Sequence, residues 1–339
     1  MSGLPLGKLP PSLLARLLGG VAPPDTSVVV PARPGVDAAA VAIGNRVLIA
    51  TADPITFLAD RIGWYAVNVN ANDIAVMGGE PRWFLATLLL PEGIEEPAVS
   101  AIFDDLNRAC AELDVALIGG HTEVTYGIDR PIIAGTMLGE AAPGGVITSA
   151  GVEPDDRILL AGGIAIEGTA ALATEARDEL LAAGVATPLL KHAAGLLYDP
   201  GISVVRAARV LRESVPVRAM HDATEGGMAT ALREMAEASG VGLTLDGESI
   251  PVLAETGSVC AALQLDPLGL LASGCLIAAV APEDAGRAVA ALRDAGIVAV
   301  AIGRASPEEG LWLVSDGERR PLPTFARDEL AQWLEGRQT

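Results

Sequence analysis

The sequence predicts two α/β domains joined near residue 150, and three observations carry that prediction. A chain of 339 residues is long enough for about two domains of ordinary size. Strand-like and helix-like apolar patterns alternate along both halves. Between the halves, "ITSAGVEPDDRILLAGG" reads as a junction, with a turn at Glu153–Asp156 before a new strand. The domains are placed at residues 1–150 and 151–339, and nothing repeats at a solenoid period.

Each element follows from its local pattern. "VDAAAVAIGNRVLIATADP", from Val36, reads as two short strands with a turn at Gly44-Asn45. A helix is expected from about Asp60 to Met77, stopped by Gly78-Gly79 and Pro81. "RWFLATLLLP" is a strand, and "AVSAIFDDLNRACAEL" places Val99, Ile102, Phe103, Leu106, Cys110 and Leu113 on one helical face. "ALIGGHTEV" and "RPIIAGTMLGE" are two further strands. The second half predicts helices near 168–183, 203–213, 227–239, 284–295 and 326–335. Its strands fall near 157–161, 217–220, 241–245, 274–280, 297–302 and 311–315.

Composition excludes several functions. A net charge of −20 with no basic run argues against nucleic-acid binding. A nucleotide site in such a chain needs metal ions to bridge carboxylates to phosphates. Aromatics at 3% mean that cores are built from Ala, Val, Leu and Ile. Cys110, Cys260 and Cys275 sit in apolar contexts without metal-ligand spacing, which predicts buried structural thiols. Lys8, Pro10, Pro11 and Arg16 interrupt any N-terminal apolar run, and no stretch is long enough to span a bilayer, so a cytoplasmic protein is expected.

The chemistry-bearing segments are short and polar. "NVNANDIAVMGGEPRW" (68–83) puts three asparagines and Asp73 into a helix apolar on nearly every side. Spacing at 100° sets Asn68 with Asn72 on one flank and Asn70 with Asp73 on another. Such a helix is buried, and its polar groups need partners, either neighbouring loop backbones or a ligand. Asp37 in "PGVDAAAV" and Asp53 in "IATADPITF" are individually turn or capping acids. With Asp73 they make three hard-oxygen ligands for Mg2+. "LIGGHTEVT" runs a strand into Gly119-Gly120, which permit close backbone approach, then His121, Thr122 and Glu123. His121 reads equally as a turn histidine.

"RILLAGGIAIEGTAALATEA" echoes phosphate-loop spacing at Gly163, Gly168 and Thr169 but lacks the lysine, so only its helix start offers an anion contact. "MHDATEGGMATALREMAEASG" ends a strand at His221-Asp222. Thr224 is a candidate N-cap for a helix opened by Gly226-Gly227. A glycine-opened helix start beside an acid suits a metal–phosphate complex.

"GVDAAAV", "TADPITF", "NANDIAVMGGEP", "LIGGHTEVT" and "MHDATEGGMATAL" come in an order that resembles the aminoimidazole ribonucleotide (AIR) synthase superfamily. That group includes the hydrogenase-maturation protein HypE, selenophosphate synthetase and thiamine-monophosphate kinase. The resemblance covers nearly the whole chain and lies nearest the HypE-like, AIR synthase-related branch. It implies an N-terminal domain pairing with a second subunit in a dimeric β-barrel, and a C-terminal α/β domain. It implies ATP and Mg2+, the metal held by Asp37, Asp53 and Asp73, with Asp222 as a fourth candidate. Lys8, Asn72, Asp73, the Gly119–Thr122 turn and Gly226-Gly227 would contact nucleotide, while His221, Asp222 and Glu225 would act at the acceptor.

The implied reaction is phosphorylation of an amide- or carbamoyl-type oxygen on a small acceptor, in a homodimer without nucleic-acid or membrane partners. The rival reading is a nucleotide-binding regulatory or maturation-scaffold protein that has lost catalysis. Departures from the pattern bear on both. HypE proteins end in a tail cysteine that accepts the carbamoyl group, whereas no cysteine follows Cys275 here. Glu225 stands where HypE-like loops usually carry arginine. Thiamine-monophosphate kinases carry aspartate at the position of His121, and selenophosphate synthetases an N-terminal Cys or selenocysteine absent here.

Overall fold

In the computed structural model, which describes residues 9, 11–19, 25–32, 35–56 and 60–336, two compact units form. One comprises Pro24–Pro31 and Asp37–Val146, and the other takes the remainder, including helix α1 (Pro11–Leu18). Each is built on its own seven-stranded sheet. Among the described residues no helix is long and apolar enough to cross a membrane.

The first unit contains β1 (Val28–Val30), β2 (Ala39–Ile43), β3 (Arg46–Thr51) and β4 (Pro54–Ile55). Helix α2 (Ile62–Val76), β5 (Glu80–Pro91), α3 (Glu96–Glu112), β6 (Ala116–Thr125) and β7 (Ile132–Ala141) follow. The sheet runs β1-β2-β3-β7-β5-β6, with β4 beside β7. It is open within one chain, its edges being β1 and β6. Only β5 and β6 are parallel, and α3 makes their crossover, as a parallel connection requires.

Alternation decides which face is covered. Val47, Ile49, Phe84, Leu88, Ile133 and Met137 are buried, while Leu48, Leu85, Leu89, Ile132 and Leu138 on the opposite face are only half-buried. Helix α2 is buried at every position except Val69, as its uniformly apolar sequence predicts. Gly63 lets α3 approach, since a Cβ there would sit 2.5 Å from the Ile102 carbonyl oxygen.

The second unit contains β8 (Arg157–Ala161), helices α4 (Ile166–Glu175), α5 (Arg177–Ala182), α6 (Thr187–Gly195) and α7 (Val205–Ser214), then β9 (Val217–Ala223). Helix α8 (Gly227–Ser239), β10 (Gly242–Asp246), α9 (Ala254–Leu263), β11 (Cys275–Val280), α10 (Ala285–Asp294), β12 (Ala299–Ser306), β13 (Leu311–Ser315), β14 (Glu318–Pro321) and α11 (Glu329–Gly336) complete it. Its sheet order is β14-β13-β10-β12-β8-β11-β9. Strand β11 is buried at all six positions, matching its unbroken apolar run. The single helix expected over 168–183 is two, broken at Ala176, where Asp178 and Glu179 give α5 an acidic first turn of its own. The sequence reading also missed α6, although Pro188 lies at its start, and α9.

Candidate functional site

In the first unit, one hydroxyl and one amide tie together the segments that carry the three predicted metal acids, through the carboxylate of Asp73 and the backbone of Asp37 and Asp53. Thr51, the last residue of β3, donates from Oγ1 to Asp73 Oδ2 at 2.6 Å and faces the Asp37 carbonyl oxygen at 3.1 Å. Asn70 holds Asp53 by its backbone. Its Oδ1 accepts from Asp53 N at 3.0 Å, and its Nδ2 donates to Asp53 O at 3.2 Å and to Ala66 O at 2.8 Å. Gly135 N also donates to Asp53 O, at 2.9 Å. Asp37, Asp53 and Asp73, spread over 37 residues of sequence, thus share one end of β3 and one flank of α2.

The remaining asparagines divide. Asn68 Nδ2 bonds the Trp64 carbonyl one turn back, and Asn72 is wholly buried. The Asn68 bond shows how α2 tolerates an amide in an apolar setting: buried polar groups are kept only with partners.

The Gly119–Thr122 segment lies elsewhere in this unit. Gly120 pairs with Ala86 of β5, which pairs with Gly135 of β7, the residue bonded to Asp53. The glycines are therefore in register with Asp53 but three strand spacings away, roughly 14 Å. His121 is exposed, with Nε2 3.0 Å from Glu123 Oε2. Within one chain the segments carrying Asp37, Asp53 and Asp73 adjoin, but their three carboxylates do not converge on one metal-sized point, and Gly119, Gly120, His121 and Thr122 lie on an open edge strand.

In the second unit, β9 delivers His221 and Asp222, both buried. His221 Nε2 lies 3.0 Å from Glu234 Oε2 on α8. Glu225 follows on the turn into α8. Thr224 does not cap α8 with its hydroxyl as expected. Gly226 is the left-handed N-cap, with no side-chain cap bond. The Thr224 carbonyl instead accepts from Gly227 N and Ala272 N. Gly227 must be glycine: its φ is +68°, and a Cβ would sit 2.4 Å from the Leu268 carbonyl oxygen. Lys8 lies outside the described residues.

Sequence reasoning missed two buried acids beside this turn. Glu167, at the start of α4, accepts from Ser273, and burial pushes its carboxyl up to about 7, helped by the charges of Asp328 and Asp222. Its only sequence signal is an acid inside "GGIAIEGTAALA". Asp328 is pushed up to about 6 by burial, against the pull of N–H groups from Gly226, Leu330 and Leu271. The cysteines are inert by the same desolvation, which raises Cys110 to about 11 and Cys260 to about 12.

Glu167 makes stability pH-dependent. Its folded-state pKa lies above the ordinary value of 4.5, so the contribution of its neutral carboxyl is full below about pH 4.5 and is lost as pH rises through about 7. Glu167→Gln cannot ionise. Relative to the parent it is expected to gain up to about 3 kcal/mol between pH 5 and pH 8 in urea denaturation. A difference that does not change with pH would rule out the protonated acid.

The chain as a whole matches a known family. Residues 35–141 match the model of the AIR synthase related protein N-terminal domain, and residues 153–314 that of its C-terminal domain. A hydrogenase expression/formation protein of Methanocaldococcus jannaschii is 35% identical over 269 residues, covering 76% of this chain and 75% of that protein. The carbamoyl dehydratase HypE of Cupriavidus necator is 32% identical over 318 residues, covering 90% and 85%. Among solved structures, Escherichia coli HypE superposes with a TM-score of 0.73 at 25% identity over 84% of this chain and 87% of that one. A HypE solved in complex with ATP gives 0.71 at 23% identity over 94% and 91%, a likeness of fold. The chain belongs to the AIR synthase superfamily, in its HypE-like part.

Proposed function

We propose that this chain is an ATP- and Mg2+-dependent enzyme that phosphorylates an amide- or carbamoyl-type oxygen and so activates it for loss. The observation that carries the reading is that Thr51 and Asn70 hold the segments of Asp37, Asp53 and Asp73 side by side, in a chain whose relatives include carbamoyl dehydratases. The predicted donors suit Mg2+, since carboxylates are hard oxygen ligands. Mg2+ would neutralise phosphate charge that a chain of net charge −20 otherwise repels.

In the second unit, the N–H groups of Gly226, Gly227 and Ala229 at the start of α8 are bonded to Asp328, Thr224 and Leu268, so the turn is held by the protein itself. Buried His221, oriented by Glu234, and Asp222 are the groups for proton handling at the acceptor. ATP binding at Asn72 and at the Gly119–Thr122 strand belongs to the same reading. Gly119 supports it, because a Cβ there meets nothing within 4 Å.

The unit also supports a homodimer. Its sheet ends on an open edge at β6, where Ile118 and Val124 are more than half exposed. A second copy covering that edge would complete the barrel and bring another chain's β6 to the site. Light scattering that returns the mass of a monomer at micromolar concentration would overturn this part.

Thermal unfolding with ATP, with a non-hydrolysable analogue, and with and without Mg2+ tests the reading. The parent is expected to gain stability only with nucleotide and metal together. Asp73→Asn, nearly isosteric and still able to accept from Thr51, is expected to weaken Mg2+-ATP binding by about tenfold or more. Equal affinity in the two proteins would sink the metal assignment. Binding without phosphate release, across carbamoyl and amide acceptors, would favour a nucleotide-binding scaffold instead.

A further inference from the structure

The glycine turn between β9 and α8 is fastened from outside the family's common core. The residues matched to the C-terminal family domain end at 314, yet the segment beyond them returns to the turn. Asp328 Oδ2 accepts from Gly226 N at 2.7 Å, and Asp328 Oδ1 accepts from Leu330 N at 2.8 Å, the latter capping α11. One buried carboxylate therefore joins the N-terminus of α11 to the N-cap of α8, 102 residues away in sequence.

The other ties run through residues 268–272. Ala229 N donates to Leu268 O, Ala272 N to Thr224 O, and Glu329 N to Gly269 O. Gly269 has no room for a side chain because Phe325 lies against it, with a Cβ there only 2.4 Å from the ring. Arg233 Nη2 on α8 bonds Thr324 Oγ1 at 2.9 Å. Residues 322–330 thus form a strap across the opening of α8, and every contact named lies within the second unit.

We propose that Asp328 is a positioning residue. Through the Gly226 N–H it sets the glycine turn that follows His221 and Asp222 and so presents those two side chains to the acceptor. The observation behind this is double acceptance by one carboxylate: no neutral side chain of that size takes an N–H on both arms. Gly226 and Gly227 both have positive φ (+83° and +68°), which glycine adopts as readily as negative φ, so the turn's own backbone does not select one geometry. The role in turnover rests on the function proposed above, whereas the tie itself does not.

The test uses the full chain. Asp328→Ala removes both acceptors and Asp328→Asn one of them. Arg327→Ala is the control, since it loses the Arg327–Glu335 ion pair, which joins the strap to the last turn of α11 and does not touch the glycine turn. Hydrogen exchange of the amides at 225–229 is expected to accelerate at least tenfold in D328A, less in D328N and not in R327A. Exchange in D328A that matches R327A would overturn the proposal. If D328A does not fold, D328N decides it by the same comparison.

Mg2+-ATP affinity is expected to stay within twofold of the parent while kcat for phosphate release falls at least tenfold, a split that general destabilisation does not produce. An unchanged kcat with a loosened turn would reduce Asp328 to a structural cap and sink the positioning role. A parent that neither binds nor hydrolyses ATP would defeat the proposed function instead, with the exchange result still deciding the tie.

Discussion

Gly120→Ala is expected to destabilise the first unit by about 3–5 kcal/mol, a large share of the roughly 5–15 kcal/mol that folded domains possess. A Cβ built at Gly120 falls 1.9 Å from the Ala86 carbonyl oxygen and within 2.8 Å of Ala86 C and N. All three atoms are backbone of β5, so no side chain can swing away. The φ of +146° adds strain for any L side chain. Relief requires β6 to leave β5, which breaks the Gly120–Thr125 pairing. Gly119→Ala is the internal comparison. Its Cβ meets nothing within 4 Å, so its expected cost is about 1 kcal/mol, from backbone conformation alone. Urea denaturation of the two variants checks both, and equal stabilities would refute the close approach of the strands.

That contrast shows what a paired glycine discloses in sequence. "LIGGHTEVT" signals close backbone approach, but not what approaches. At Gly120 the partner is the neighbouring strand, paired 34 residues back, which no local pattern announces. Only Gly119 keeps open space.

The architecture was more legible, because periodicity reports burial directly. The apolar girdle of α2 announced its burial, whereas β3, β5 and β7 are apolar on both faces in sequence and only their burial alternates. Strand β11 read correctly from an unbroken apolar run. The breaks were less visible, since Ala176 carries no helix-stopping signal. At the site, the acids were readable as residue types in an order resembling a family, and the HypE-like assignment followed. Glu167 and Asp328 were not, because each gains meaning only from groups distant in sequence. "ARDELAQW" looks like a capped helix start, which it is, but the second arm of Asp328 reaches back 102 residues.

Asn70 is where the buried-amide question has its sharpest answer. It was undecided in sequence between ligand contact and loop support, and all three of its hydrogen bonds go to backbone, two of them to Asp53. Asn70→Ala removes an acceptor and two donations from a wholly buried position. Gly135 N still serves Asp53 O, but Asp53 N loses its side-chain acceptor. The expected cost is about 2–4 kcal/mol. Asn70→Asp, though isosteric, is expected to be worse. It sets carboxylate oxygens against the Asp53 and Ala66 carbonyls where donors are required, and buries a charge. The order parent, then Ala, then Asp therefore separates amide chemistry from side-chain volume. If volume governed the site, Asp would rank with the parent. Because Asn70 fixes the backbone of Asp53, the alanine variant is also expected to lose the Mg2+-dependent part of any ATP-induced thermal shift, measured well below its own Tm. Retention of that part would detach Asp53 from the metal set and leave Asn70 a purely structural amide.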